Sequence, residues 1–277
     1  MKQSDLRVSL LGCGRVGGSL AMATPGARIW GRNPERARAV AASAGVQAVT
    51  DLDDALDADL ILLTVPERSI PELVEKIVLT GMGKGQVAAH TAAVLGLEHL
   101  NPLADQGFRI GKCHPMFPFA SPATPLPARV IFGIEGDESS AEILQSFVEM
   151  ILGIPLPIHA SNRVAYHLMG IFASNFLMGL LKAAESLAAG LDTKVAPAEI
   201  LLPLVEGTVK NYHEMGVEKG LTGPWTRGDE ETLRLHLQAL HDRPDLQVIY
   251  TAMARYLLPE TSPLRYIFET NPPYKES

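Results

Sequence analysis

The stretch Gly12-Cys13-Gly14-Arg15-Val16-Gly17 follows a short apolar run, Arg7 to Leu11, and opens a helix-like segment, Val16 to Ala23. A G-x-G-x-x-G in that setting leaves few architectures open. It calls for a strand, a tight glycine turn and a helix whose first N–H groups face an anion. Gly12 permits the turn, Gly14 lets the backbone approach a pyrophosphate, and Gly17 lets the helix pack on the strand. Arg15 and Val16 sit in the same turn. Without a ligand the segment would be only a glycine-rich turn. Its place between strand and helix favours a dinucleotide site.

The rest of the first half repeats the alternation. Ala27 to Trp30, Leu60 to Val65, Val87 to His90, Phe108 to Cys113 and Val130 to Glu135 read as strands. Pro34 to Ala44, Asp51 to Leu56 and Ile70 to Leu79 read as helices between them. Strands alternating with helices predict an α/β domain, a doubly wound parallel sheet of Rossmann type with helices on both faces. Pro155 and Pro157 punctuate a last short strand, after which only helical runs follow: Asn162 to Ala189, Ala196 to Met215, Asp229 to Leu240 and Asp245 to Leu257. The expected division is a dinucleotide-binding domain over 1–158 and an all-α domain over 159–277. Between His114 and Ala128 lie Pro115, Pro118, Pro122, Pro125 and Pro127, a loop whose shape proline fixes without regular hydrogen bonding.

Composition limits the alternatives. A chain of 277 residues with 47% hydrophobic and 20% charged residues is globular, not disordered. A net charge of −7 without a basic run argues against nucleic-acid and anionic-membrane partners. Two cysteines, Cys13 and Cys113, make no disulfide framework and no metal-ligand set. Met1 to Asp5 runs straight into the first strand without a leader-like pattern, so a cytoplasmic protein is expected. Val164 to Leu181 is about as long as a membrane span, but Tyr166, His167, Ser174 and Asn175 are costly in lipid. It is expected instead to be a buried core or subunit-interface helix.

Cofactor choice turns on Trp30-Gly31-Arg32-Asn33-Pro34-Glu35-Arg36. An acid that would hold a ribose 2′-hydroxyl is expected near the end of the second strand, and Arg32 stands at about that place. A guanidinium suits a 2′-phosphate, with Asn33 and Arg36 able to contribute. NADP is therefore expected; Glu35, the nearby acid, is what an NAD reading would rest on. Val65 and Pro66 close the third clear strand and are expected to line the nicotinamide side.

Three stretches together carry a resemblance: His114-Pro115-Met116-Phe117-Pro118-Phe119; Tyr166-His167 with Phe172-Ala173-Ser174-Asn175-Phe176; and Leu221 to Asp229 ahead of Leu233 to Leu240. With Leu201-Leu202-Pro203-Leu204 and Gly207-Thr208, the chain resembles Rossmann-like proteins whose C-terminal part is the domain of unknown function 2520. Their relatives include 6-phosphogluconate dehydrogenase-like enzymes, pyrroline-carboxylate reductases and ketopantoate reductases. The resemblance implies an NADP-linked oxidoreductase with a helical C-terminal domain that often dimerises. It implies no substrate. Hydroxyisobutyrate dehydrogenase-type relatives place a catalytic lysine four residues before an asparagine; here Ile171 precedes Asn175 at that spacing.

Hydride transfer needs a group that handles the proton on the substrate heteroatom, and histidine is the usual choice near neutral pH. His114 leads, because it ends a strand and enters the proline loop. His114-Pro115-Met116 also resembles the segment of prephenate and arogenate dehydrogenases in which a histidine polarises the reacting hydroxyl. Shaping the loop is its structural alternative. His90 ends another strand. His167 and Ser174, seven residues apart, would share a helix face flanked by Asn175 and project into the crevice or into a dimer interface. Arg227, in the turn before Asp229, suits a substrate carboxylate, while Asp229 reads better as a helix cap. The leading expectation is an NADP-dependent reductase or dehydrogenase acting on a small polar substrate, dimeric through its helical domain. The alternatives are a non-catalytic NADP-binding regulator and a prephenate-type dehydrogenase.

Overall fold

The apolar run at the start becomes β1 (Val8–Leu11), buried at every position because it pairs on both sides, with β2 (Arg28–Trp30) and β4 (Leu60–Leu63). These elements come from a computed structural model that describes residues 6–188 and 190–269. Met1 to Asp5, and Ala189 at the end of the expected long helix, lie outside the described residues. β3 (Gln47–Ala48), β5 (Val87–His90), β6 (Arg109–Pro115), β7 (Ile131–Gly136) and β8 (Ile154–Pro157) complete a sheet ordered β3-β2-β1-β4-β5-β6-β7-β8. The order reverses between β1 and β4, where a doubly wound sheet forms its ligand crevice.

Helices α1 (Arg15–Ala23), α2 (Pro34–Ala44), α3 (Leu52–Leu56), α4 (Ile70–Thr80), α5 (Asn101–Ala104) and α6 (Glu138–Met150) connect or flank the strands. One buried cluster joins Leu10, Leu62 and Ala89 to Leu20, Ala41 and Phe147; another joins Leu11, Ile61 and Leu63 to Val74 and Ile77. They are the two faces of one sheet, since successive strand residues point to opposite sides. The sheet is parallel except at β6 and β7, which pair antiparallel. The proline-rich loop, not a helix, joins those two strands, so the chain returns alongside instead of crossing over.

The long apolar helix begins as α7 (Arg163–Gly170), becomes π-helical over Ile171–Phe176 and continues as α8 (Leu177–Ala188). The chain divides into compact units at 1–176 and 177–277, and the first turns of this helix belong to the same unit as the sheet. The last strand ends at Pro157, where the prolines were read as punctuating it. The second unit contains α8, α9 (Pro197–Gly220), α10 (Pro224–Arg227), α11 (Glu230–Ala239), α12 (Pro244–Leu257) and α13 (Tyr266–Glu269). Its core gathers Leu233, Leu237, Ala254, Leu258, Ile267 and Phe268.

Of the two readings of Val164 to Leu181, a core helix or a subunit-interface helix, the core reading is corrected. The run Ala160–Ala188 is long and apolar enough to cross a membrane, yet only 6% of its most apolar window is buried. Leu168, Met169, Phe172, Phe176 and Met178 are exposed, and only Tyr166 turns fully inward.

Candidate functional site

The glycine turn is held by contacts a side chain would break. Gly12 has φ +140, and a Cβ there would lie 2.7 Å from the Thr64 carbonyl carbon. The Thr64 hydroxyl donates to the Gly12 carbonyl at 2.9 Å, tying the end of β1 to the end of β4. A Cβ on Gly17 would fall 1.9 Å from the Gly12 carbonyl oxygen, so α1 can approach the turn only because that residue is glycine. Gly14 differs: its nearest neighbour would be 3.8 Å away. Its small size serves the space in front of the turn, not the packing behind it. That is the cradle a pyrophosphate needs, and α1 starts there with no side-chain cap on its N–H groups.

A cavity of about 290 Å³ opens in front of the turn, lined by Gly12, Gly14, Arg32, Asn33, Arg36, Thr64, Val65 and Pro66, with Glu72 and Lys76 on α4. The structure thus brings most expected cofactor residues into one depression. Asn33 caps α2, accepting from the Arg36 N–H at 3.0 Å. The Arg36 guanidinium donates to the Cys13 carbonyl at 3.2 Å, and Arg32 lies 3.3 Å from Glu72. Arg15 is exposed, Val16 packs on the core, and neither lines the cavity. Gly17 shapes the turn from behind.

The proline loop braces the same region. A Cβ on Gly18 would lie 2.3 Å from the Pro122 carbonyl oxygen, and Ser19 donates to the Ser121 carbonyl at 3.5 Å. The loop therefore rests on the first turns of α1.

Past β5 the sheet carries a buried polar row. His90, Lys112 and Glu135 stand side by side in register on β5, β6 and β7. Lys112 is 3.0 Å from Glu135, and Arg163 on α7 reaches Glu135 at 2.6 Å. The Lys112 ammonium also donates to the Ala93 carbonyl, which fixes the loop after β5. Burial lowers the Lys112 pKa while Glu135 opposes that shift. His90 is fully buried and meets the Gly96 carbonyl at 3.3 Å. Burial above all pulls its pKa down to about 4.

His114 lies two residues beyond Lys112 on the same strand face. Burial, then the charge of Lys112 and the rings of His167 and His90, lower its pKa to about 4. Its Nδ1 is buried without a hydrogen-bond partner among the described residues. Tyr166 stands edge-on to the ring at 5.6 Å and donates through its hydroxyl to the His114 carbonyl at 3.1 Å. The same hydroxyl accepts from the Gly133 N–H at 3.0 Å. His167 is also edge-on, at 6.2 Å.

The remaining candidates are less tightly set. Ser174 is half-buried and Asn175 exposed, both on the π-helical turn. The π-helical turn, with its i→i+5 bonding, interrupts the regular α-helix between His167 and Ser174. Arg227 ends the short α10 in the second unit, exposed and 3.9 Å from Asp229. Asp229 is the cap expected of it, accepting from the Thr232 N–H at 3.1 Å. Among the described residues no cluster of His, Cys, Asp and Glu could hold a metal ion.

Thr64, Glu72, Lys76, Lys112, Glu135 and Tyr166 were not among the expected site residues. A signal existed for two of them. Lys112 and Glu135 are charges inside otherwise apolar strand runs, and such charges are buried only when paired. Nothing in the sequence pairs β6 with β7 antiparallel, which is what joins them.

A doubly wound sheet with a glycine turn at its switch point defines a Rossmann-like nucleotide-binding fold. Residues 1–115 match a Rossmann-like domain, and residues 130–257 match the domain of unknown function 2520, in agreement with the resemblance read from the motifs. A search of curated proteins finds no match. Among solved structures, a Bacteroides fragilis protein designated a candidate NADP oxidoreductase is 24% identical, with a TM-score of 0.72 over 92% of this chain and 99% of that one. A Thermotoga maritima protein is 25% identical, with a TM-score of 0.70 over 95% and 98%. A pyrroline-5-carboxylate reductase from Coxiella burnetii is 13% identical, with a TM-score of 0.64 over 92% and 99%.

Proposed function

We propose that the chain is an NADP-dependent oxidoreductase that moves a hydride between the nicotinamide and a small polar substrate. The observation that carries this reading is the single cavity in which the glycine turn, Val65, Pro66, Arg32, Asn33 and Arg36 meet. The designations of the Bacteroides and Coxiella proteins support a reductase, with a C=O or C=N group as the reacting bond.

The cofactor, when bound, supplies or accepts the hydride. The chain's own residues do the rest. The N–H groups at the start of α1 hold the pyrophosphate, and Arg32 and Arg36 hold the 2′-phosphate. His114 is neutral at pH 7, so it polarises the substrate heteroatom through a hydrogen bond instead of storing its proton. Asn175, Ser174 and His167 are proposed as orienting groups. The exposed apolar residues from Leu168 to Met178 are proposed to pair with a second copy of the chain.

The experiment is a titration with NADPH and, separately, NADH, followed by nucleotide fluorescence, then a turnover screen with imines, ketones and aldehydes. Preferred binding of NADPH with turnover of one such class is expected. Binding of neither nucleotide would overturn the reading. NADPH binding with no turnover would leave the non-catalytic alternative.

A further inference from the structure

Glu72 joins two cations at the cavity rim. It lies in the first turn of α4, with Lys76 one turn further on the same face. One carboxylate oxygen is 2.7 Å from Lys76, and the other is 3.3 Å from Arg32, which arrives from the end of β2. All three line the cavity, whereas Glu35 does not. The one carboxylate within reach of Arg32 in this cavity is thus delivered by α4, not by the second strand.

Resting on the nucleotide reading above, we propose that Glu72 is a built-in competing anion that sets how sharply the site separates NADP(H) from NAD(H), and that Lys76 is a second cation for the 2′-phosphate. A phosphate that takes Arg32 must displace the Glu72 carboxylate or endure its charge. A ribose 2′-hydroxyl has the opposite relation to it, because a carboxylate accepts a hydrogen bond from a hydroxyl. One residue therefore weakens the phosphorylated cofactor and strengthens the other. Displacement of Glu72 also frees the Lys76 ammonium for the phosphate, so the cost of removing the carboxylate is partly returned. Arg32 and Lys76 then grip one dianion from two elements, β2 and α4.

The test uses two probes of the adenosine end alone, 2′,5′-ADP and 5′-ADP, with NADPH and NADH alongside. Glu72→Gln should tighten 2′,5′-ADP roughly three- to tenfold and weaken 5′-ADP, raising the ratio of the two affinities about tenfold. Lys76→Met should weaken 2′,5′-ADP roughly three- to tenfold and leave 5′-ADP unchanged. In an Arg32→Ala background the gain from Glu72→Gln should shrink, since the competition runs through Arg32. A ratio that stays within about twofold of wild type in Glu72→Gln, or falls, overturns the proposal. Wild-type protein that binds none of the four compounds overturns the nucleotide reading as well. Wild-type binding with an unmoved ratio overturns only the role of Glu72.

Discussion

The Lys112 ammonium lies 3.0 Å from the Glu135 carboxylate, and both side chains are within 5% of full burial. Arg163 closes the group from α7, 2.6 Å from the same carboxylate, and burial favours the neutral forms of His90 and His114 nearby. Removing one member of a buried pair leaves the other charged and uncompensated, which costs about 3–5 kcal/mol. Lys112→Met is expected to leave Glu135 with Arg163 alone and to lower unfolding stability by somewhat less than that range. Glu135→Leu should cost more, because Lys112 then keeps the Ala93 carbonyl but loses its ion-pair partner. The double variant should be more stable than Glu135→Leu alone. Urea midpoints at neutral pH measure all three, and additive losses would mean that the two residues do not act as a pair.

The histidines give stability a pH dependence with a definite sign. In the unfolded chain His90 and His114 take up protons near 6.5; in the folded protein they resist until about 4. The unfolded state thus binds more protons across that window, so stability falls as the pH falls through it and is flat above. The two together could withdraw several kcal/mol by the acid end, at ~1.4 kcal/mol per unit for each group. His90→Gln should flatten the slope of stability against pH by about half. An unchanged slope would show that His90 titrates in the fold as it does in the unfolded chain.

The glycines separate packing from binding. Gly17→Ala forces a methyl group against the Gly12 carbonyl and should destabilise the protein by several kcal/mol. Gly14→Ala meets nothing closer than 3.8 Å and should unfold close to wild type. It should nonetheless weaken NADPH by about tenfold or more, since the methyl occupies the approach of the pyrophosphate. A Gly14→Ala protein with normal affinity would remove the phosphate from that turn. Arg32→Asp provides the companion result: it should weaken NADPH far more than NADH, and equal losses would detach Arg32 from the 2′-phosphate.

What was legible follows from how much of each feature is local. The glycine turn, the apolar strands and the cap at Asp229 are short-range patterns, and the structure places them as read. β3 has only two residues and, among the described residues, pairs only with β2, so no periodicity announces it. Helix α6 was readable but absent from the expected elements: Asp137 accepts from the Ser140 N–H at 2.8 Å, and Leu144, Phe147 and Val148 make its buried face. The antiparallel return of β7 was not local at all, since it depends on where the proline loop leaves the chain. With it went Glu135, Tyr166 and the setting of His114. The exposed face of the long helix was likewise hidden, because an apolar run does not say whether its cover comes from the same chain.

Tyr166 is where the fold and the proposed chemistry meet, and its hydroxyl permits a narrow test. It accepts from the Gly133 N–H on β7 and donates to the His114 carbonyl on β6, so it spans two strands from α7. Burial raises its pKa to about 12, so the hydroxyl stays protonated and keeps donating at any working pH. Tyr166→Phe preserves the ring beside His114 but removes both of these hydrogen bonds, at a cost of about 1–3 kcal/mol. If His114 polarises the substrate, loosening its backbone should lower kcat several-fold while the NADPH affinity stays within about twofold, because the nucleotide cradle lies at β1 and β4. His114→Ala should lower kcat further with the same unchanged affinity, and the two losses should not add, since both act through one ring. Full turnover in His114→Ala would remove His114 from the mechanism and reduce Tyr166 to a structural strut.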